Sequence, residues 1–234
     1  MNGFAFLVGG VLPYFAVLVF VLGMSYRLRV WYRTPQPAKL KLYGPSETTT
    51  ARAVLAEALF FPSLFKGDRA LWAMSWFFHA TLALVFVGHF RVVTGVIDHS
   101  LLSLGMSERA IGQMSAGAGG GAGIVLVVTG LLLLGRRLTT PRVREVSGLP
   151  DFFALLLLLA IFATGDLMRL GAHVDLAETR RWAASLLVFS PVVPEHGLFL
   201  VHAGLALVLF MYIPFSKILH LGGIFFTQAL VKRS

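Results

Sequence analysis

Four histidines stand in stretches where water is not expected. His79 and His89 lie ten residues apart in the apolar run from Trp72 to Arg91, and His202 and His220 lie eighteen apart in an apolar run near the C-terminus. A histidine in hydrocarbon needs a partner: an interhelical hydrogen bond, a proton path or a metal. One such residue reads readily as packing, but two on each of two runs read as ligands. Ten residues of helix rise about 15 Å and stop about 80° short of three full turns, whereas eighteen rise about 27 Å and close five turns. Each pair therefore shares a face of its own helix. In antiparallel helices His89 comes level with His202, and His79 lies nearer His220. The two rises differ by about 12 Å, which tilt or a bend at Pro214 must absorb. Two imidazoles facing each other can take both axial positions of a haem iron, giving an electron carrier with no open position. Two such groups stacked along the membrane normal make a path for electrons across it. Gly88 beside His89 and Gly204 near His202 remove bulk beside a flat macrocycle, and a close helix contact would want the same glycines.

The rest of the chain must hold those two segments in a membrane. Of its 234 residues, 57% are hydrophobic and only 13% charged, with a mean hydropathy of +0.79. A soluble domain carries about 25% charge. Five apolar segments are long enough to cross a bilayer, at about 4–24, 71–97, 117–134, 152–170 and 197–221; crossing takes about 20 residues. The expected fold class is an all-α integral membrane protein, a five-transmembrane-helix bundle forming a single domain over 1–234. The first run is too long for the apolar core of a cleaved leader and has its arginines after it, so it reads as a span. No fixed-period repeat suggests a solenoid or a duplicated transporter. With no cysteine, disulfides, zinc–thiolate sites and iron–sulfur clusters on cysteine are excluded.

Charge sets the topology. Arg27, Arg29, Arg33, Lys39, Lys41, Arg52, Lys66 and Arg69 follow span 1; Arg136, Arg137, Arg142 and Arg144 follow span 3; Lys217, Lys232 and Arg233 close the chain. The opposite side has only Arg91, Arg109, Arg169, Arg180 and Arg181. Lys/Arg excess marks the cytoplasmic side, so the N-terminus is expected outside and the C-terminus in the cytoplasm. The net charge of +9 is distributed as topology signals in short loops and calls for no nucleic-acid partner.

Several features flank this frame. Thr34-Pro35-Gln36-Pro37 starts the first inner loop extended, and Thr48-Thr49-Thr50 can cap a helix from near Ala51 through Leu55, Leu59 and Phe60 to Pro62. That helix is expected at the membrane surface or against a partner. GAGGGAG, Gly117 to Gly123, opens span 3 and permits close approach of a helix or a cofactor; no Lys-Ser/Thr follows, so it is not read as a phosphate loop. Arg91 can pair with a haem carboxylate or reach the headgroups. Asp166 and Arg169 are expected as a local pair, or as a route for protons. His99, His173 and His196 fall in or near outer loops and read as solvated, with His196 a spare ligand six residues before His202.

These residues together resemble the gamma subunit of respiratory nitrate reductase, a five-span di-haem cytochrome b, over nearly the full length. The resemblance rests on Leu12-Pro13-Tyr14, Gly88-His89-Phe90, the glycine-rich start of span 3, Arg136-Arg137-Leu138 with Pro141-Arg142-Val143-Arg144, Pro214-Phe215-Ser216 leading to Leu219-His220, and the two histidine spacings. It implies two haem b groups, an outer one on His89 and His202 and an inner one on His79 and His220. The first inner loop departs from the nitrate reductase type by adding FFPSLFKGDRALW, Phe60 to Trp72. That insert is similar to the membrane cytochrome b of sulfite-reduction-associated and heterodisulfide-reductase-like complexes, whose partner is a cytoplasmic iron–sulfur subunit. For the family's basic residue near the quinone pocket, Arg109 is the nearest candidate, beside Gly88 and His89.

The expected function is an electron-transfer subunit in the cytoplasmic membrane, part of a quinone-dependent oxidoreductase complex linked to sulfur metabolism, with no catalytic residue of its own. It would carry electrons between quinol or quinone at the outer haem and the iron–sulfur subunit inside, docked on Arg136, Arg137, Arg142, Arg144 and the long first loop. The rivals are the gamma subunit of a respiratory nitrate reductase and, in another class, a non-redox membrane anchor or scaffold.

Overall fold

A computed structural model describes residues 3–34, 50–172 and 174–220. Lys39, Lys41, Thr48, Thr49, His173, Lys232 and Arg233 lie outside the described residues, as does the segment 35–37 that follows extended Thr34. The described residues are helical, without a strand. Among the described residues five helices are long and apolar enough to cross a membrane: α1 (Gly3–Arg33), α4 (Arg69–Val93), α6 (Glu108–Thr139), α8 (Leu149–Gly171) and α10 (Gly197–Phe215, its last turn 3-10). Shorter helices join them: α2 (Thr50–Phe60), α3 (Pro62–Gly67), α5 (Val96–Ser103), α7 (Pro141–Glu145) and α9 (Leu176–Leu187).

Helix α6 packs between α4 and α8, and α8 packs on α10, which packs on α1. The joints use the sequence's small residues. A methyl at Gly130 would come 2.8 Å from Leu159 and one at Gly23 2.8 Å from Pro214, so glycine lets these backbones close up. Beside them Phe78 of α4, Leu126 of α6 and Phe162 of α8 form a buried cluster. At the other end Ala5 and Val8 meet Phe199, Leu200 and Ala203. Leu22, Phe86, Val128, Leu156 and Val201, one on each span, are exposed, as lipid-facing side chains must be.

Two spans end earlier than the apolar runs suggest. The run expected to reach 97 stops at Val93, because Thr94 turns extended (φ −144°, ψ 144°) and a new helix starts at Val96. The run expected to continue to 221 leaves α-helix at Tyr212. Pro214 brings a 3-10 turn, Ser216 is extended, and a second 3-10 turn over Lys217–Leu219 delivers His220. Proline cannot supply the backbone N–H that the next helical turn needs. The eighteen residues from His202 to His220 are therefore not one straight helix, and the 12 Å excess anticipated from helical rise does not arise.

Ion pairs tie the connecting segments down. Asp68 caps α4, accepting from the Leu71 N–H at 2.9 Å, and its other oxygen takes Arg136 at 2.9 Å. Arg137 donates to Ser147 at 2.6 Å, while Asp151 accepts Lys217 at 2.9 Å. At the opposite end Asp98 of α5 takes Arg91 at 2.6 Å and also Arg180 of α9. Burial pushes the Asp98 carboxyl up, but the hydrogen bonds and charges of the two arginines outweigh it and hold it below the usual carboxylate range. The depressed value stabilises the fold above the unfolded carboxyl's value of about 3.9 and is lost as pH falls through the folded one. Losing the charged hydrogen bonds in Asp98→Asn should cost about 2 kcal/mol at neutral pH and flatten the acid limb of a thermal-unfolding series.

Candidate functional site: two histidine pairs

The four histidines meet in pairs across α4 and the C-terminal span, in the expected combinations. His89 and His202 have ring centres 6.3 Å apart with planes 18° from parallel. His79 and His220 have ring centres 5.8 Å apart with planes at 83°. An axial imidazole puts its ring centre about 3 Å from the metal it binds, so two of them put their ring centres about 6 Å apart. Both separations fit that span.

The backbone sets the tautomers. Nδ1 of His79 lies 2.7 Å from the Ser75 carbonyl, Nδ1 of His89 2.7 Å from the Val85 carbonyl, and Nδ1 of His220 2.9 Å from the Lys217 carbonyl. A carbonyl only accepts, so each Nδ1 carries the proton and each Nε2 keeps a lone pair. In α4 both bonds run to residue i−4, the carbonyl a helix brings under that side chain. Nδ1 of His202 lies 3.0 Å from the Thr164 hydroxyl, which donates its own proton to the carbonyls of Ala160 and Ile161. The hydrogen bonds shown for all four rings thus run through Nδ1. Ligating histidines are held in this manner, the far nitrogen bonded and the near one free for the metal. No cluster of three or more His, Asp or Glu occurs among the described residues. A pair of imidazoles is too few for a bare ion but sufficient for a metal that a macrocycle already holds on four sides.

Two residues of α8 complete the His202 side, and sequence reading missed both. Thr164 orients the ring. Gly165 makes room for it, since a methyl there would lie 3.2 Å from Cε1 of His202. Their only sequence signal is a small-residue pair in an apolar span. Gly88 has no atom within 4 Å of where a side chain would start, so it serves no helix contact within the described residues, whereas Gly204 packs on Val8 at 3.4 Å.

The remaining candidates fall out as follows. Arg91 spends Nε on Asp98, and its terminal amino groups make no hydrogen bond with the described residues. Arg109 is exposed in the first turn of α6 and bonds to neither pair. The local pair of Asp166 and Arg169 does not form. Arg169 reaches across to α6, donating to the Ser115 carbonyl and, at 2.8 Å, to its hydroxyl. The glycine run makes that reach possible, with Arg169 lying over Gly119 and the Asp166 carboxyl over Gly123. The run is thus helical and serves helix approach. Asp166 has no hydrogen bond or ion pair among the described residues. His99 bonds the Gly95 carbonyl at 2.7 Å and is exposed. His196 caps α10, its Nδ1 accepting from the Phe199 N–H at 3.4 Å, the reverse of the tautomer found in the pairs. Arg136 and Arg137 brace the chain internally, while Arg142 and Arg144 are exposed, as are Arg29, Arg33, Lys66 and Lys217.

Five helices apolar enough to cross a membrane, with two histidine pairs meeting between them, are features of a multi-pass, cytochrome b-like membrane subunit. The chain belongs to the nitrate reductase gamma subunit family, which matches residues 62–232; Leu12, Pro13 and Tyr14 lie outside that match. It is 30% identical to the Hdr-like menaquinol oxidoreductase cytochrome b-like subunit of Archaeoglobus fulgidus, over 94% of this chain and 77% of that one. The protein of the same name from Archaeoglobus profundus is 27% identical over 92% and 76%. The respiratory nitrate reductase 1 gamma chain of Escherichia coli is 31% identical over 62% of this chain and 68% of its own length.

Proposed function

We propose that the chain carries two haem b groups, on His89–His202 and on His79–His220, and transfers electrons between a membrane quinol and a cytoplasmic iron–sulfur subunit. The observation that carries this is the pair of ring contacts, 6.3 and 5.8 Å between centres, with Nδ1 of all four histidines hydrogen-bonded. Haem supplies a one-electron carrier at each pair. The arginine bias supports a cytoplasmic-membrane topology with the His79–His220 end inward, the N-terminus outside and the partner docked through Arg142 and Arg144. Quinol is the substrate named for the Archaeoglobus complexes, and their match over most of this chain favours that type over the nitrate reductase type. Quinol would react at the His89–His202 end, where Gly88 leaves open space and the terminal amino groups of Arg91 can take a haem carboxylate; Arg109 stands at the same end.

Quinol gives up two protons with its two electrons. Asp166 is placed to accept one of them, as an unpaired carboxylate on α8 beside the Gly165 that touches His202. Asp166→Asn should slow quinol oxidation about a hundredfold with haem content unchanged, measured by stopped-flow haem reduction. The overall reading is tested on the purified protein: two b-type haems per chain, reduced by menaquinol analogues and reoxidised by the co-purifying iron–sulfur subunit. Haems that form but accept no electrons from any quinol would leave the scaffold reading in place.

A further inference from the structure

The insert before the first ligand is built around a residue in an unusual conformation. Phe61 joins α2 to α3 with φ 52° and ψ 48°, left-handed. Among the described residues only Phe61 and Phe189 hold positive φ without being glycine. Phe189 is an exposed loop residue stacked on Tyr14. Phe61 instead turns inward. A bulky side chain is disfavoured in this region, and such a conformation persists only where surrounding structure enforces it.

That enforcement is visible on every side. Glu57 of α2 accepts from the Ser63 hydroxyl at 2.8 Å, closing the turn around Phe61. The indoles of Trp72 and Trp76 donate to the carbonyls of Phe60 at 2.8 Å and Leu59 at 3.1 Å, strapping the end of α2 to the first turns of α4. Arg69 lies over the Phe65 ring at 5.2 Å, and Phe65 meets Trp72 edge-on at 4.9 Å. The Asp68–Arg136 pair anchors the far side to α6. What this frame presents is the Phe61 ring, edge-on to the His79 imidazole at 5.3 Å and 83°. Phe78 meets the same imidazole at 5.4 Å and 71°. His79 is thus held by two aromatic rings as well as by Ser75. Among the described residues His89 has its backbone bond to Val85 and the ring of His202 as partners.

We propose that Phe61 is a positioning residue of the His79–His220 site: its ring, held at the left-handed vertex of the insert, fixes the plane of the His79 imidazole and closes that edge of the site to water. The inference rests on the haem reading above. It gives the insert a role in the cofactor site itself, at a residue one position before the part of the chain that the family matches. Apolar shielding of a haem disfavours its more charged ferric state, and the angle between axial imidazole planes governs the magnetic anisotropy of the low-spin ferric centre.

The test uses the haem-loaded protein and two substitutions. Phe61→Gly suits the backbone and removes the ring; Phe61→Tyr keeps the ring. Low-temperature electron paramagnetic resonance of the unsubstituted protein should show two low-spin signals, the one absent from His79→Ala being the more anisotropic, as near-perpendicular planes require. Phe61→Gly should shift that signal alone. The ferrous-to-ferric ratio of that haem at a fixed ambient potential should fall about tenfold, and Phe61→Tyr should restore both. Loss of that haem alone in Phe61→Gly supports the assignment equally. Both signals unmoved, both altered alike, or both haems lost would overturn it. An unsubstituted protein with no haem would overturn the electron-transfer reading as well, so the two failures are distinct.

Discussion

His202→Ala is expected to leave the purified chain with one haem instead of two, and the remaining one should no longer be reduced by quinol. His79→Ala should also leave one haem, but that one should still take electrons from quinol and fail to pass them on. The asymmetry follows from the arrangement of the pairs. Each histidine faces one partner, His202 at 6.3 Å from His89 and His79 at 5.8 Å from His220, so a single loss opens one site only. Haem content by pyridine haemochrome, quinol-driven reduction and reoxidation by the partner subunit are the three measurements. Equal loss of both haems from either substitution would show that the histidines support the fold rather than separate sites.

Gly165→Leu should expel the haem of the His89–His202 pair and spare the other. A methyl at this position already stands 3.2 Å from Cε1 of His202, and the rest of a leucine side chain must occupy the ring's place. Overpacking of this kind costs about 1–3 kcal/mol, and displacing an oriented ligand should lower occupancy of that site at least about tenfold. Leucine is the better helix former, so lost helix propensity cannot explain the effect. Gly121→Leu is the control: it lies on an exposed face of α6 with no neighbour within 4 Å, and should leave both haems in place. If the two substitutions behave alike, Gly165 is not the pocket that holds the ring.

Much of the frame was legible in the residues. Five apolar runs became five spans, and the helix expected from near Ala51 to Pro62 appears as Thr50–Phe60. The pairing of His89 with His202 and of His79 with His220 follows from antiparallel order, and the rings meet accordingly. The route was less sound than the result. Helical rise over eighteen residues overshot the inner pair; of the two remedies expected, tilt or a bend at Pro214, the chain uses a break at Pro214, followed by extended Ser216. Asp166 and Arg169 had the spacing of a local pair, yet Arg169 found Ser115 because Gly119, Gly120 and Gly123 let α6 and α8 close together. Arg136 and Arg137, read as part of a docking surface, also bind Asp68 and Ser147, partners that are distant in sequence or lie past a turn.

The sequence by itself determined the membrane class, the number of spans and the four histidines with their partners. Those properties depend on hydropathy and on spacing along single helices, where rise and turn per residue are constant. Only the tertiary structure decided that the planes of one pair are near parallel and those of the other near perpendicular, that Thr164 and Gly165 seat His202, that Asp98 binds Arg91 and Arg180, and that Phe61 reaches His79. These depend on how closely helices approach and which rotamers they leave open, and spacing along a chain carries no information about either.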